Sequence, residues 1–85
     1  MLTLKVLGSG CPNCKALETR VREALDQFSP EGDVEVIKVT DLVQISAHIL
    51  HTPGLMINDR VVSEGRVPQV HEIMSWLAEA LEAET

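Results

Sequence analysis

The sequence predicts an α/β fold of element order β-α-β-α-β-β-α, in which helices cover both faces of a mixed four-stranded sheet. Three observations carry that prediction. Apolar residues recur at a period of two in some segments and at steps of three and four in others, so strands and helices interleave along the chain. A helical segment separates the first two strands, which demands a crossover and therefore a parallel pair. The last two strands are separated only by Asn58-Asp59, which demands a hairpin.

The elements follow in order. Leu2 to Leu7 alternates apolar and polar residues until Gly8-Ser9-Gly10 breaks the pattern. Cys14, Leu17, Val21, Ala24, Leu25 and Phe28 then form the stripe of an amphipathic helix, with Glu18 and Arg22 paired on its outer side. Ser29-Pro30-Glu31-Gly32 ends that helix, and Val34 to Val39 reads as a β-branched second strand. Asp41 is placed to cap a short helix through about Leu50, with Leu42, Ile45 and Ile49 along its buried face. After Thr52-Pro53-Gly54, Leu55-Met56-Ile57 and Arg60-Val61-Val62 read as the hairpin strands. Pro68 stands where a proline opens a helix, and Val70, Ile73, Met74, Leu77 and Leu81 mark the apolar face of that last element.

Eighty-five residues are enough for one domain, expected to span residues 1–85, and the core is expected to close as a monomer. A chain that is 45% hydrophobic and 24% charged is not a disordered tail, and no apolar run is long enough to cross a bilayer. A net charge of −6 and only two aromatic residues, Phe28 and Trp76, argue against nucleic-acid binding, which needs cations and stacking surfaces. The first residues alternate like a strand and lack the basic start and apolar core of a signal peptide, so a cytoplasmic location is expected. In such a reducing compartment, a pair of cysteines two residues apart is more often catalytic or metal-binding than structural.

That pair, Cys11 and Cys14, is therefore the candidate site. With Pro12 as the first helical residue, Cys11 is the N-cap and Cys14 begins the inward stripe. At the N-cap, free N–H groups and the helix dipole favour a thiolate, so Cys11 is the candidate nucleophile toward a substrate disulfide. Cys14 is then the resolving thiol, because one helical turn brings the two Cα atoms within the ~5–6 Å of a disulfide. Lys15, next to Cys14, and His51, two residues before Pro53, are candidates to tune the thiols; the ordinary alternatives are a solvated lysine and an exposed helix-end histidine. Alternation leaves the face of Lys38 open, while Trp76, Met56 and Met74 read as packing residues.

A second reading of the pair is a soft-metal carrier, since paired thiolates suit Cu(I) and small copper chaperones also begin strand, Gly-x-Cys-x-x-Cys, helix. Those domains end in a strand, whereas this chain is predicted to end in a helix and has Ser9 where they place methionine. His48 and His51 stand too far from the cysteines for a zinc-finger spacing, and His71 reads as solvated.

Cys11-Pro12-Asn13-Cys14 between strand and helix, Thr52-Pro53, the hairpin with Asn58-x-x-Val61-Val62, Gly65-Arg66-Val67-Pro68 and Glu72-Ile73-x-x-Trp76-Leu77 together resemble the thioredoxin superfamily. More narrowly, the chain is similar to its small glutaredoxin-like members, the "redox-active disulfide protein 2" group. The resemblance covers nearly the whole chain and implies a thioredoxin-like fold. It implies a cis Thr52–Pro53 peptide facing the disulfide, with the backbone at Thr52 pairing with an extended substrate and Pro53 discouraging metal capture. Pro12 and Asn13, inside the pair, would shape the same surface. It further implies disulfide-bearing client proteins, a separate thioredoxin-reductase-type electron donor and no bound cofactor. The Gly-Gly-x-Asp element with which glutaredoxins hold glutathione is absent; Glu64-Gly65-Arg66 stands near its place.

Overall fold

In a computed structural model of the chain, residues 2–8, 10, 12–28 and 33–84 are described. The elements are β1 (Leu2–Leu7), α1 (Pro12–Phe28), β2 (Val34–Val39), α2 (Leu42–His48), β3 (Gly54–Ile57), β4 (Arg60–Glu64) and α3 (Val70–Glu84). Their order is the predicted β-α-β-α-β-β-α. The strands form one sheet in the order β2-β1-β3-β4. β1 runs parallel to β2 and antiparallel to β3, and β3 and β4 form the antiparallel hairpin. Asn58 and Asp59 both take positive φ, 49° and 68°, the twist that suits a two-residue turn between right-handed strands. Asn58 also joins the turn to β1, since its N–H donates to Thr3 O and its Oδ1 accepts from Thr3 N–H.

Alternation along β1 and β3 divides the core into two layers. On one face, Leu2, Leu4 and Val6 of β1 with Leu55 and Ile57 of β3 cluster with Leu17, Val21 and Ala24 of α1 and Ile73 and Leu77 of α3. Burying each such side chain contributes roughly 1.5–3 kcal/mol, so this layer supplies most of the hydrophobic stabilisation. On the other face, Leu7, Val39 and Met56 gather with Ile45 and Ile49 at α2. Helices therefore cover both faces of the sheet, as expected, but the α2 side is the thinner layer.

Four local expectations are corrected. The second helix stops at His48, not near Leu50: Ile49 is already extended (φ −137°, ψ 157°), although its N–H still donates to Ile45 O. Its side chain is buried from that cap position, so an i, i+4 spacing outlives the helix. Leu42 is 68% exposed and lies outside both clusters, because the first residue of this short helix projects beyond the sheet. Asp41 does cap the helix as expected, accepting from Val43 N–H at 2.8 Å.

Pro68 does not open α3. Gln69 is the cap: its carbonyl accepts from Glu72 and Ile73 N–H, while Glu72 Oε1 accepts from Gln69 N–H at 3.0 Å. This reciprocal pairing satisfies two of the donors at the helix start, the Gln69 and Glu72 N–H groups, and sets Pro68 one residue before the cap. Arg20 of α1 locks that entry by donating to Pro68 O and Gln69 Oε1. The hairpin strands are also longer than expected, starting at Gly54 and ending at Glu64, with an irregular register between Leu55 and Met56.

Candidate functional site

The end of β1 is where the elements converge. Leu7 pairs with Val39 on one side and Gly54 on the other. Gly8 continues the parallel ladder by donating its N–H to Val39 O at 3.0 Å. Carried one residue further, the antiparallel register sets Pro53 across from Gly8. The Thr52–Pro53 peptide bond is cis, as the resemblance implies, with Pro53 buried and Thr52 exposed.

Helix α1 starts just beyond. Pro12 is its first residue, as expected, and Pro12 and Asn13 are exposed. Cys14 is only 5% exposed and is disulfide-bonded. The chain has one other cysteine, Cys11, which lies outside the described residues together with its expected role as N-cap. The sulfur of Cys14 rests against Gly8 so closely that a Cβ there would overlap Sγ and stand 3.0 Å from Cys14 Cβ. Gly10 turns the chain between strand and helix with φ 90°, a conformation open to glycine at little cost.

A recess of about 160 Å³ opens beside Cys14, lined among others by Gly8, Lys15, Glu18, Lys38 and Thr40. Glu18 corrects the sequence reading. It follows Cys14 by one helical turn and lies on the same face, so its side chain is turned into the recess and is only 21% exposed, not displayed on the outer side. Lys38 Nζ stands 2.7 Å from Glu18 Oε2, at an angle that leaves that oxygen without a hydrogen-bond donor among the described residues. Arg22 is a looser partner, its Nε 3.9 Å from Glu18 Oε1. Two lysines and one carboxylate thus line the recess that Cys14 borders.

The structure brings Cys14, Lys15 and Lys38 together at one recess but leaves His51 off its walls. His51 is exposed, and its N–H points to Glu64 Oε2 at 3.4 Å. His48 and His71 are exposed on different helices. Among the described residues, no cluster of three or more His, Cys, Asp or Glu side chains is arranged to hold a metal ion, and no helix is long and apolar enough to cross a membrane. Spacing alone assigns no site role to Gly8, which directly follows β1, or to Glu18, four residues after Cys14; the fold places both at the recess.

Chemically, a buried half-cystine beside a charged recess can store and release an electron pair by opening and closing its S–S bond. Comparison with known proteins points the same way. The family described as thioredoxin domain matches residues 2–78. The chain is 35% identical over 82 residues to a thioredoxin of Methanocaldococcus jannaschii, a match covering 96% of this chain and 93% of that protein. It is 32% identical over 78 residues to a thioredoxin of Methanothermobacter thermautotrophicus, covering 92% of this chain and all of that one.

Proposed function

The chain belongs to the thioredoxin-domain family, and from that premise we propose that it is a dithiol–disulfide oxidoreductase reducing protein disulfides through Cys11 and Cys14. In this reading the Cys11 thiolate attacks one sulfur of a client disulfide, forms a mixed disulfide and expels the other client sulfur as a thiolate. Cys14, deprotonated, attacks the Cys11 sulfur and releases the second client thiolate. The client gains two electrons and the pair is left as a disulfide. A thioredoxin-reductase-type donor returns the two electrons, so the disulfide itself is the carrier and no bound cofactor takes part.

The observation that carries this reading is Cys14: it is disulfide-bonded, in the first turn of α1, with its sulfur against Gly8 at the edge of a recess. Pro12, Asn13 and Thr52 form the surface offered to the client, and the buried Pro53 shapes the backbone beneath it. Residues 1–85 act as one monomeric domain in a reducing compartment, the cytoplasm.

Titration through thiol/disulfide buffers, counting alkylated thiols by mass, tests the proposal. A reversible two-electron transition is expected, with a midpoint between about −270 and −200 mV. Cys11→Ser is expected to abolish reduction of a protein disulfide, and Cys14→Ser to accumulate a mixed disulfide. A pair that never closes, or copurified copper that shields both thiols from alkylation, would replace this reading with the soft-metal carrier.

A further inference from the structure

Between the buried Ile49 and the buried Pro53, the chain passes through three exposed residues, Leu50, His51 and Thr52. The Leu50 side chain is 87% exposed, so apolar burial does not hold this turn. Left to itself, such a segment keeps its conformational freedom, because ordering it brings no compensating burial. What reaches it is Glu64, the last residue of β4. Its Oε2 accepts from Leu50 N–H at 2.8 Å and, more weakly, from His51 N–H at 3.4 Å.

The grip is two-sided. Glu64 pairs with Gly54 in the hairpin register, and Gly65 donates its N–H to Pro53 O at 2.9 Å. The end of β4 therefore meets the turn before Thr52 through a side chain and after it through the backbone. Bonds from N–H groups to an ionised carboxylate are stronger than those to a neutral acceptor. Among the described residues the Glu64 carboxylate has no cation within salt-bridge distance, so these two N–H groups are its partners. Glu64 is also not among the residues lining the recess at Cys14, which separates its action from that of the sulfur.

We propose that Glu64 is a positioning residue for client binding: by anchoring Leu50 and His51 it holds the Thr52–Pro53 backbone in the shape that an extended client segment pairs with. The inference rests on the oxidoreductase reading and its placement of Thr52 and Pro53 at the client surface. Glu64 lies off the recess bordered by the Cys14 sulfur and acts through the turn. A client that docks along backbone should feel the loss of this anchor, while a small disulfide that needs only the sulfur should not.

The test compares the full chain with Glu64→Ala and Glu64→Gln on two substrates, insulin as a disulfide-bonded polypeptide and 5,5′-dithiobis(2-nitrobenzoate) as a small disulfide. Glu64→Ala is expected to raise KM for insulin about five- to tenfold, the worth of roughly one ordinary hydrogen bond, with kcat nearly unchanged. Turnover of the small disulfide and the redox midpoint should stay at wild-type values. Glu64→Gln, whose carbonyl still accepts, should restore most of the KM. Amide hydrogen exchange gives an independent reading: Leu50 and His51 should exchange faster in Glu64→Ala while Leu55, in the core, keeps its protection.

An unchanged KM for insulin in an active Glu64→Ala protein overturns the inference alone, as does unchanged exchange at Leu50. Equal losses on both substrates with a shifted midpoint also overturn it, because they mark damage to the sulfur site. A wild-type chain that reduces neither substrate overturns the oxidoreductase reading and this inference with it.

Discussion

The backbone of Gly8 is the floor on which the sulfur of Cys14 rests: any Cβ at position 8 would occupy space that Sγ already fills. The strand and the helix of the site are thus in contact through a missing side chain. Gly8→Ala should overpack this contact and destabilise the disulfide form by about 1–3 kcal/mol, as methylene insertions into tight cores do. Urea unfolding of the oxidised protein measures it. An alanine variant as stable as the parent would show that Cys14 can shift freely.

Lys38 and Glu18 form the charged wall of the same recess, 2.7 Å apart, with the lysine 63% and the glutamate 21% exposed. Their exposure is unequal, so the two single substitutions should be unequal too. Removing Lys38 leaves a poorly solvated carboxylate with only the distant Arg22, whereas Glu18→Gln leaves a lysine that water can reach. Lys38→Ala is therefore expected to cost more than Glu18→Gln. The coupling from a double-mutant cycle should be about 0.5–1 kcal/mol. It should shrink in 1 M salt, where the screening length is about 3 Å.

Acid stability should carry the mark of Glu72. Arg66 donates to both of its carboxylate oxygens, and the Gln69 N–H donates to one of them, so its pKa is lowered from the ordinary 4.5 to about 2. Between those values the unfolded chain takes up the proton and the folded one does not. The contribution is present in full above about pH 4.5 and is lost as the pH falls toward 2. Melting temperatures of wild type and Glu72→Gln should therefore differ near neutrality and converge at the acid end. A gap that persists at pH 2 would assign the stabilisation to packing. Because the pair is at the surface, salt should narrow the gap.

Legibility from sequence divides along a physical line. β1, β2 and the buried stripe of α1 stand where periodicity put them, because each depends on which face of one element is apolar. The end of α2 escapes periodicity for the opposite reason. Ile49 keeps the helical spacing while its backbone is extended, and burial alone does not distinguish the two. Pro68 was read by its own preference for a first turn, but Gln69 and Glu72 satisfy the helix start together and displace it. At the site, Pro12 as the first residue of α1 was legible from spacing, and the cis Thr52–Pro53 peptide only from the family resemblance. Glu18 and Glu64 were not, since their partners, Lys38 and the Leu50–His51 backbone, come from other elements and only the folded sheet brings them near.

The position of β1 inside the sheet has a consequence for how the chain is assembled. The first strand, β1, is an inner one, flanked by residues 34–39 on one side and 54–57 on the other. The β3–β4 hairpin closes over a two-residue turn and can form locally, but the sheet joins into one only when residues 2–7 meet partners from both later segments. Such distant pairings must close long loops before they are rewarded, which slows folding relative to a helical bundle of the same size. On the ribosome β1 can pair with residues 34–39 first, but its other edge stays unpaired until residue 57 has emerged, so the sheet is completed only after two thirds of the chain is available.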